Sequence, residues 1–195
     1  NNLSSGYRDG AIYDFIRAFA QAEDEVVLRT VDSNSSFASK LTDATDCDAV
    51  VAAGGEWSRM RFSYQEYFER MTHDPHSWGK PLSALLGALK MQLALGLPSI
   101  GGKDSMSGTF EDINVPPTLI AFGITTVDAN DVISPELKWE GNKLYLIRHT
   151  PLTSRMPDTD QLKANWNFIH GQILAGNIVS AYSVGFGGVA EAICK

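Results

Sequence analysis

Basic residues are scarce in this 195-residue chain: 16 Lys and Arg against 23 Asp and Glu leave a formal net charge of −7. A field of that sign repels phosphate backbones, which excludes nucleic-acid binding through overall charge. A phosphorylated ligand would have to be met by local positive charge instead. Cysteine is scarcer still. Cys47 and Cys194 are the only two, too few for a disulfide framework and without zinc-site spacing, and both read as reduced core residues of a cytoplasmic protein. No apolar run approaches the ~20 residues a membrane helix requires. The opening residues 1–6 (NNLSSG) have neither the basic nor the apolar stretch of a secretory leader. Internal repeats and low-complexity tracts are absent, and no Ser/His/Asp or Cys/His grouping has local support.

What is present is enough apolar residue, 44%, to bury a core in one or two domains. Ile12, Phe15, Ile16 and Phe19 fall at helical spacing. Glu25 to Val31 alternates weakly as a strand would, and Ser33 to Thr45 has a loop composition. Asp48 to Ala53 predicts a helix end at Gly54-Gly55, Arg59 to Ser63 a short strand, and Tyr64 to Met71 a helix or an irregular excursion. Leu82, Leu85, Leu86, Leu89 and Leu93 repeat at helical spacing after Pro81, which suits a first turn, and Gly96 and Pro98 stop that helix. Thr118 to Val127 predicts a buried strand. Residues 128–142 read as a connector, and Lys143 to Ile147 as a new strand. Asp160 is expected to cap a helix carrying Leu162, Trp166, Ile169 and Ile173 and ending at Gly176. Ile178 to Ser183 then predicts a strand, followed by a glycine turn and an opening helix. The four tryptophans, at 57, 78, 139 and 166, read as core or boundary residues. His73 and His76, flanking Asp74-Pro75, read as a solvated turn, and Asp128 and Asp131 as a post-strand turn. His149 and His170 carry no chemistry that the sequence can name.

Between the leucine-rich helix and the Thr118 strand lies IGGKDSMSGT, Ile100 to Thr109. Glycines allow tight backbone turns and let amide N–H groups point at an anion. Lys103 supplies positive charge for phosphate, Asp104 a hard oxygen ligand for Mg²⁺, and Ser105 and Ser107 short hydroxyls. The run is not a Walker A loop, whose glycines and lysine are spaced differently. It reads either as a phosphate- or nucleotide-handling loop or as a surface turn after a helix.

The wider sequence resembles one family. WGKPLSALLGALK (Trp78 to Lys90), LGLPSIGGKDSMSGTF (Leu95 to Phe110) and VPPTLIAFG (Val115 to Gly123) are similar to the large, multidomain phosphoribosylformylglycinamidine synthases, and VAAGG (Val51 to Gly55) and RFSYQEYF (Arg61 to Phe68) fit the same family. The likeness is strong over about residues 49–150 and weaker to the C-terminus. It implies an α+β fold like that of aminoimidazole ribonucleotide synthetase: a pairing, ferredoxin-like N-type α+β domain over residues 1–140, possibly incomplete, and the start of a C-type α/β domain over residues 141–195. It further implies an ATP-dependent carbon–nitrogen ligase of purine biosynthesis. Such an enzyme converts formylglycinamide ribonucleotide to formylglycinamidine ribonucleotide, with glutamine as amide donor and ATP/ADP and Mg²⁺ as cofactors.

Carried over, the resemblance gives Gly101 and Gly102 backbone contact with phosphate, Lys103 charge neutralisation, Ser105 and Ser107 phosphate or nucleotide contacts, and Asp104 a place on the metal. In small-form relatives asparagine stands where Lys103 is. The Asp-x-Ser-Asp-Gly-Gly motif of many relatives is replaced near residues 183–188 by Ser183, Gly185 and Phe186, and a Glu/Asn metal pair by Asp46 and Val50, so that second nucleotide–metal site is expected to be weakened. The start without Met and the stop at Lys195 within an opening helix read as a segment of a longer polypeptide, inactive alone. Its partners would be the other domains of that polypeptide, the first synthetase half and the glutaminase domain. Two alternatives stand beside this reading: a catalytically silent scaffold half holding a structural nucleotide, and a stand-alone nucleotide-binding domain.

Overall fold

The computed structural model describes residues 47–153, 156–185 and 187–194. The expectations placed on residues 12–45 and on Asp46, and the one on Phe186, lie outside these residues. The described chain is mixed α+β. After a short helix over residues 47–52 and a 3₁₀ turn at Trp57–Arg59 come β1 (Arg61–Tyr67), α1 (Pro75–Leu95), β2 (Ser99–Lys103), the paired short strands β3 (Thr109–Phe110) and β4 (Ile113–Asn114), and β5 (Thr118–Ile124). Two helices follow, α2 (Thr159–Leu174) and α3 (Gly188–Cys194). No described helix is long and apolar enough to cross a membrane.

The main sheet has the order β2–β1–β5, with β1 parallel to β2 and antiparallel to β5. Parallel neighbours need a crossover, and α1 supplies it. Along β1 the side chains alternate: Phe62, Tyr64 and Glu66 point to the buried face, and Phe68 just beyond the strand is buried too. The strand therefore runs further than Arg59 to Ser63, and Tyr64 to Tyr67 is extended rather than helical. The segments Lys143 to Ile147 and Ile178 to Ser183 form no strand; β-rich composition without a neighbouring edge does not make a ladder.

Helix α1 starts earlier than Pro81. Asp74 caps it, its side chain accepting the His76 N–H at 3.0 Å, and Pro75 occupies the first turn. Gly96 ends it in the left-handed conformation, φ 74°. Its orientation is the larger surprise. Ala84, Ala88, Met91 and Leu95 face the core, while Leu82, Leu85, Leu86, Leu89 and Leu93 are exposed, Leu93 at 74%. A face of small residues lets a helix lie close to a sheet whose own inward side chains are aromatic. The helical spacing of the leucines thus marks the helix but not its buried face, which is the Ala84 to Leu95 stripe in the same core cluster as Phe62, Tyr64 and Phe68.

The core is closed from the far side by α2. Trp166, 1% exposed, packs against Trp57 with the rings tilted at 47° and their centroids 5.3 Å apart; the Trp57 indole N–H donates to Asn167 at 2.8 Å, and the Trp166 N–H donates to Asp48. Trp78 and Trp139 are exposed instead, as is Cys194, whereas Cys47 is buried. Asp158, two residues ahead of Asp160, caps α2 by accepting the N–H groups of Asp160 and Gln161. Gly176 follows the helix with φ 72°.

Candidate functional site

Among the described strands, the GGKDS run lies on an edge of the main sheet. Gly101, Gly102 and Lys103 belong to strand β2 rather than to a loop, in register with Ser63, Tyr64 and Gln65 of β1. The register slips just before them: Phe62 pairs with Ser99 and Ser63 with Gly101, so Ile100 bulges out of the ladder and is exposed. Bulges of this kind re-aim a strand at sheet edges and beside binding sites. Every residue of β2 is exposed.

The glycines of the run are not equivalent. A Cβ on Gly102 would stand 2.5 Å from the Tyr64 carbonyl oxygen, and one on Gly108 would stand 2.2 Å from a Val115 methyl, so the packing of this chain requires both to be glycine. A Cβ on Gly101 would meet nothing within 4 Å. The fold makes no steric demand for glycine there. A glycine inside a strand marks a bulge, such as the one at Ile100 beside it, or close approach of a ligand or another backbone.

Beyond β2 the chain is pinned to the end of β1. The Ser105 N–H donates to the Glu66 carbonyl (3.0 Å), the Phe68 N–H to the Ser105 carbonyl (2.7 Å), and the Gly108 N–H to the Phe68 carbonyl (2.9 Å). Met106 packs against the core. Those amides are spent on the protein. The intervening N–H groups of Asp104, Met106 and Ser107 have no protein acceptor among the described residues. The run thus keeps part, not all, of its amide donors available for an anion.

Strand alternation separates the charged side chains. Lys103 and Ser105 share one face, and the Lys103 Nζ donates to the Ser105 Oγ at 2.8 Å without forming an ion pair with any described residue. Asp104 falls on the other face, beside Glu66, the position after the Gln65–Lys103 pair. The sequence suggested that lysine, aspartate and serine converge. The strand gathers Lys103 with Ser105 and Asp104 with Glu66, in two groups on either side of one edge.

Glu66 went unnoticed in the sequence. It is 1% exposed, and neither carboxyl oxygen has a hydrogen-bond partner. Burial, with the charge of Asp104 in addition, pushes its carboxyl up from 4.5 to about 7. A signal existed: once Phe62 to Phe68 is read as a strand, Glu66 is the acid at an inward position of an aromatic alternation. As for a metal, no three His, Cys, Asp or Glu side chains converge on one among the described residues. Asp104 with the orphaned oxygens of Glu66 nevertheless forms a pair of hard donors that fits Mg²⁺, which takes one or two carboxylates and completes its shell with water or phosphate.

The other candidates are occupied by structure. In the second glycine turn, the Gly187 N–H donates to the Glu191 carboxylate at 2.7 Å and the Gly188 N–H to the Gly185 carbonyl at 2.9 Å, leaving little for an anion. Asp128 accepts the Asn130 N–H in a turn. The His149 Nε2 accepts the Asp158 main-chain N–H at 2.9 Å, and burial holds the ring below its usual range despite the Asp158 carboxylate nearby. Compared with known proteins, the chain matches no family model and no curated protein.

Proposed function

We propose that this chain is the part of a phosphoribosylformylglycinamidine synthase that grips nucleotide phosphate at a sheet edge. On this reading it serves the ATP- and glutamine-dependent conversion of a formamide to an amidine in purine biosynthesis, in a synthetase-like α+β fold completed by other domains of the same polypeptide. Phosphoryl transfer asks a protein mainly for positioning and charge stabilisation. Gly101 would admit a phosphate to the strand backbone. The uncommitted amides of Asp104, Met106 and Ser107, the Lys103 ammonium and the Ser105 and Ser107 hydroxyls would bind its oxygens. Asp104 would stand on Mg²⁺, which when bound offsets phosphate charge.

The single observation that carries the reading is Gly101, where a Cβ would meet nothing within 4 Å, on an exposed and bulged edge two residues from a lysine that forms no ion pair among the described residues. The test is ATP affinity by calorimetry for Lys103→Ala and Gly101→Ala, with amidine formation measured in the full-length polypeptide with ammonia and with glutamine. A charge-assisted contact contributes about 1.5–3 kcal/mol, so Lys103→Ala is expected to weaken ATP binding about 10- to 100-fold. Affinity and turnover both unchanged would refute the proposal. A second reading, a catalytically silent half with a structural nucleotide, is favoured by the self-closed turn at residues 185–188. It predicts that Lys103→Ala loses bound nucleotide while turnover with ammonia stays intact.

A further inference from the structure

We propose that Glu66 and Asp104 together hold a divalent cation on the inner face of the sheet edge, with Glu66 as the buried ligand and Asp104 as the exposed one. The inference extends the metal role given to Asp104 above and adds to it a residue from a different strand. Four described side chains bury a polar atom without a partner: Glu66, Thr125, His170 and Ser183. Of these, Glu66 alone is an acid, and both of its oxygens are orphaned.

An uncompensated buried carboxylate is among the costlier features a fold can carry. Asp104 makes matters worse, since it lies beside Glu66 and has the same sign. No cation among the described residues offsets them. The described ion pairs are Lys80–Glu69 and Lys138–Glu136, and the Lys103 ammonium lies on the opposite face, bonded to Ser105. Among the described residues, only a proton or a cation from solution is left to neutralise the pair, and a cation serves both carboxylates at once.

The geometry selects what could supply it. β1 and β2 set Glu66 and Asp104 side by side, and the 3.0 Å bond from the Ser105 N–H to the Glu66 carbonyl fixes the backbone at that point. Two carboxylates with no thiolate or imidazole beside them favour hard cations, Mg²⁺, Mn²⁺ or Ca²⁺, over softer metals. With no third acid converging, the remaining positions fall to water or to ligand oxygens reaching round the edge.

The experiment titrates Mn²⁺ into the 195-residue chain at pH 8 without nucleotide, following bound metal by electron paramagnetic resonance and thermal stability in parallel. Wild type is expected to bind one ion in this site and to melt at a higher temperature with it, because a ligand of the folded state stabilises that state. Glu66→Gln keeps shape and Asp104→Asn keeps the backbone. Each is expected to weaken binding at least tenfold and to abolish the thermal shift, while Leu93→Ser, on the exposed face of α1, leaves both unchanged. Wild-type affinity in a folded Glu66→Gln protein would overturn the assignment, as would the absence of any Mn²⁺ binding by wild type. Metal-free ATP binding, weakened in Lys103→Ala, reports on the phosphate grip separately, so the two readings can fail independently.

Discussion

Replacing Glu66 by Gln removes an ionisable proton from the core without changing its shape, and the sign of the effect can be worked out. The folded protein holds the Glu66 carboxyl at about 7, against 4.5 ordinarily, chiefly through burial. Between those values the folded state binds more protons than the unfolded one, so stability falls as pH rises from about 4.5 through 7 and levels off above. At about 1.4 kcal/mol per pH unit the full loss is about 3 kcal/mol, or about 6–12 °C in melting temperature for a chain of this size. Gln cannot ionise. In chelator-treated protein, urea denaturation from pH 5 to 8.5 should therefore show wild type losing stability relative to Glu66→Gln by up to about 3 kcal/mol, nearly all of it before pH 8. Any cost of burying the amide shifts the variant's curve by a constant and leaves the slope of the difference untouched. Asp48, whose carboxyl burial also raises, titrates in both proteins and cancels. A difference independent of pH would refute the reasoning.

Gly102→Ala should destabilise the chain by about 1–3 kcal/mol in urea denaturation, because its methyl would press on the Tyr64 carbonyl at 2.5 Å. Gly101→Ala should leave stability level or raise it by up to about 1 kcal/mol; equal losses at the two positions would contradict the geometry. On α1, Leu93→Ser should change stability by less than about 0.5 kcal/mol, whereas Ala88→Leu, on the face against the sheet, should cost about 1–3 kcal/mol; the reverse order would mean that the leucines are the packed face.

The parts of the fold legible in the sequence are those fixed by local stereochemistry. Gly96 and Pro98 stop α1 because a left-handed residue and a missing N–H act on their immediate neighbours, and the turns at Gly54 and Gly176, both at positive φ, follow the same logic. The face of α1 was not local information. Leu82 to Leu93 and Ala84 to Leu95 are both regular helical stripes, and the choice between them was made by Phe62, Tyr64 and Phe68 on another element. Glu66 was hidden for a related reason: an acid at an inward position is conspicuous only after the strand has been assigned, and the aromatic run around it lacked a decisive period. The strands expected at Lys143 and Ile178 failed because pairing depends on a partner edge that composition does not reveal.

The strand assignment also changes how the GGKDS run can work. A loop would have let Lys103, Asp104 and Ser105 turn toward one ligand. A strand with period two does not allow it, and the 2.8 Å bond from Lys103 to Ser105 marks the pair that shares a face. Opposite charges on opposite faces of an edge strand need not neutralise each other: the ammonium remains available to an anion while the carboxylate, backed by Glu66, remains available to a cation. A metal-bound phosphate presents both charges. Gly101 lies on the Lys103 side of the strand, two residues before it, where an added Cβ would meet no neighbour within 4 Å. An alanine there is expected to spare the packing, so any loss of phosphate binding in Gly101→Ala would report on the ligand rather than on the fold, which Gly102 and Gly108, required by packing, cannot do.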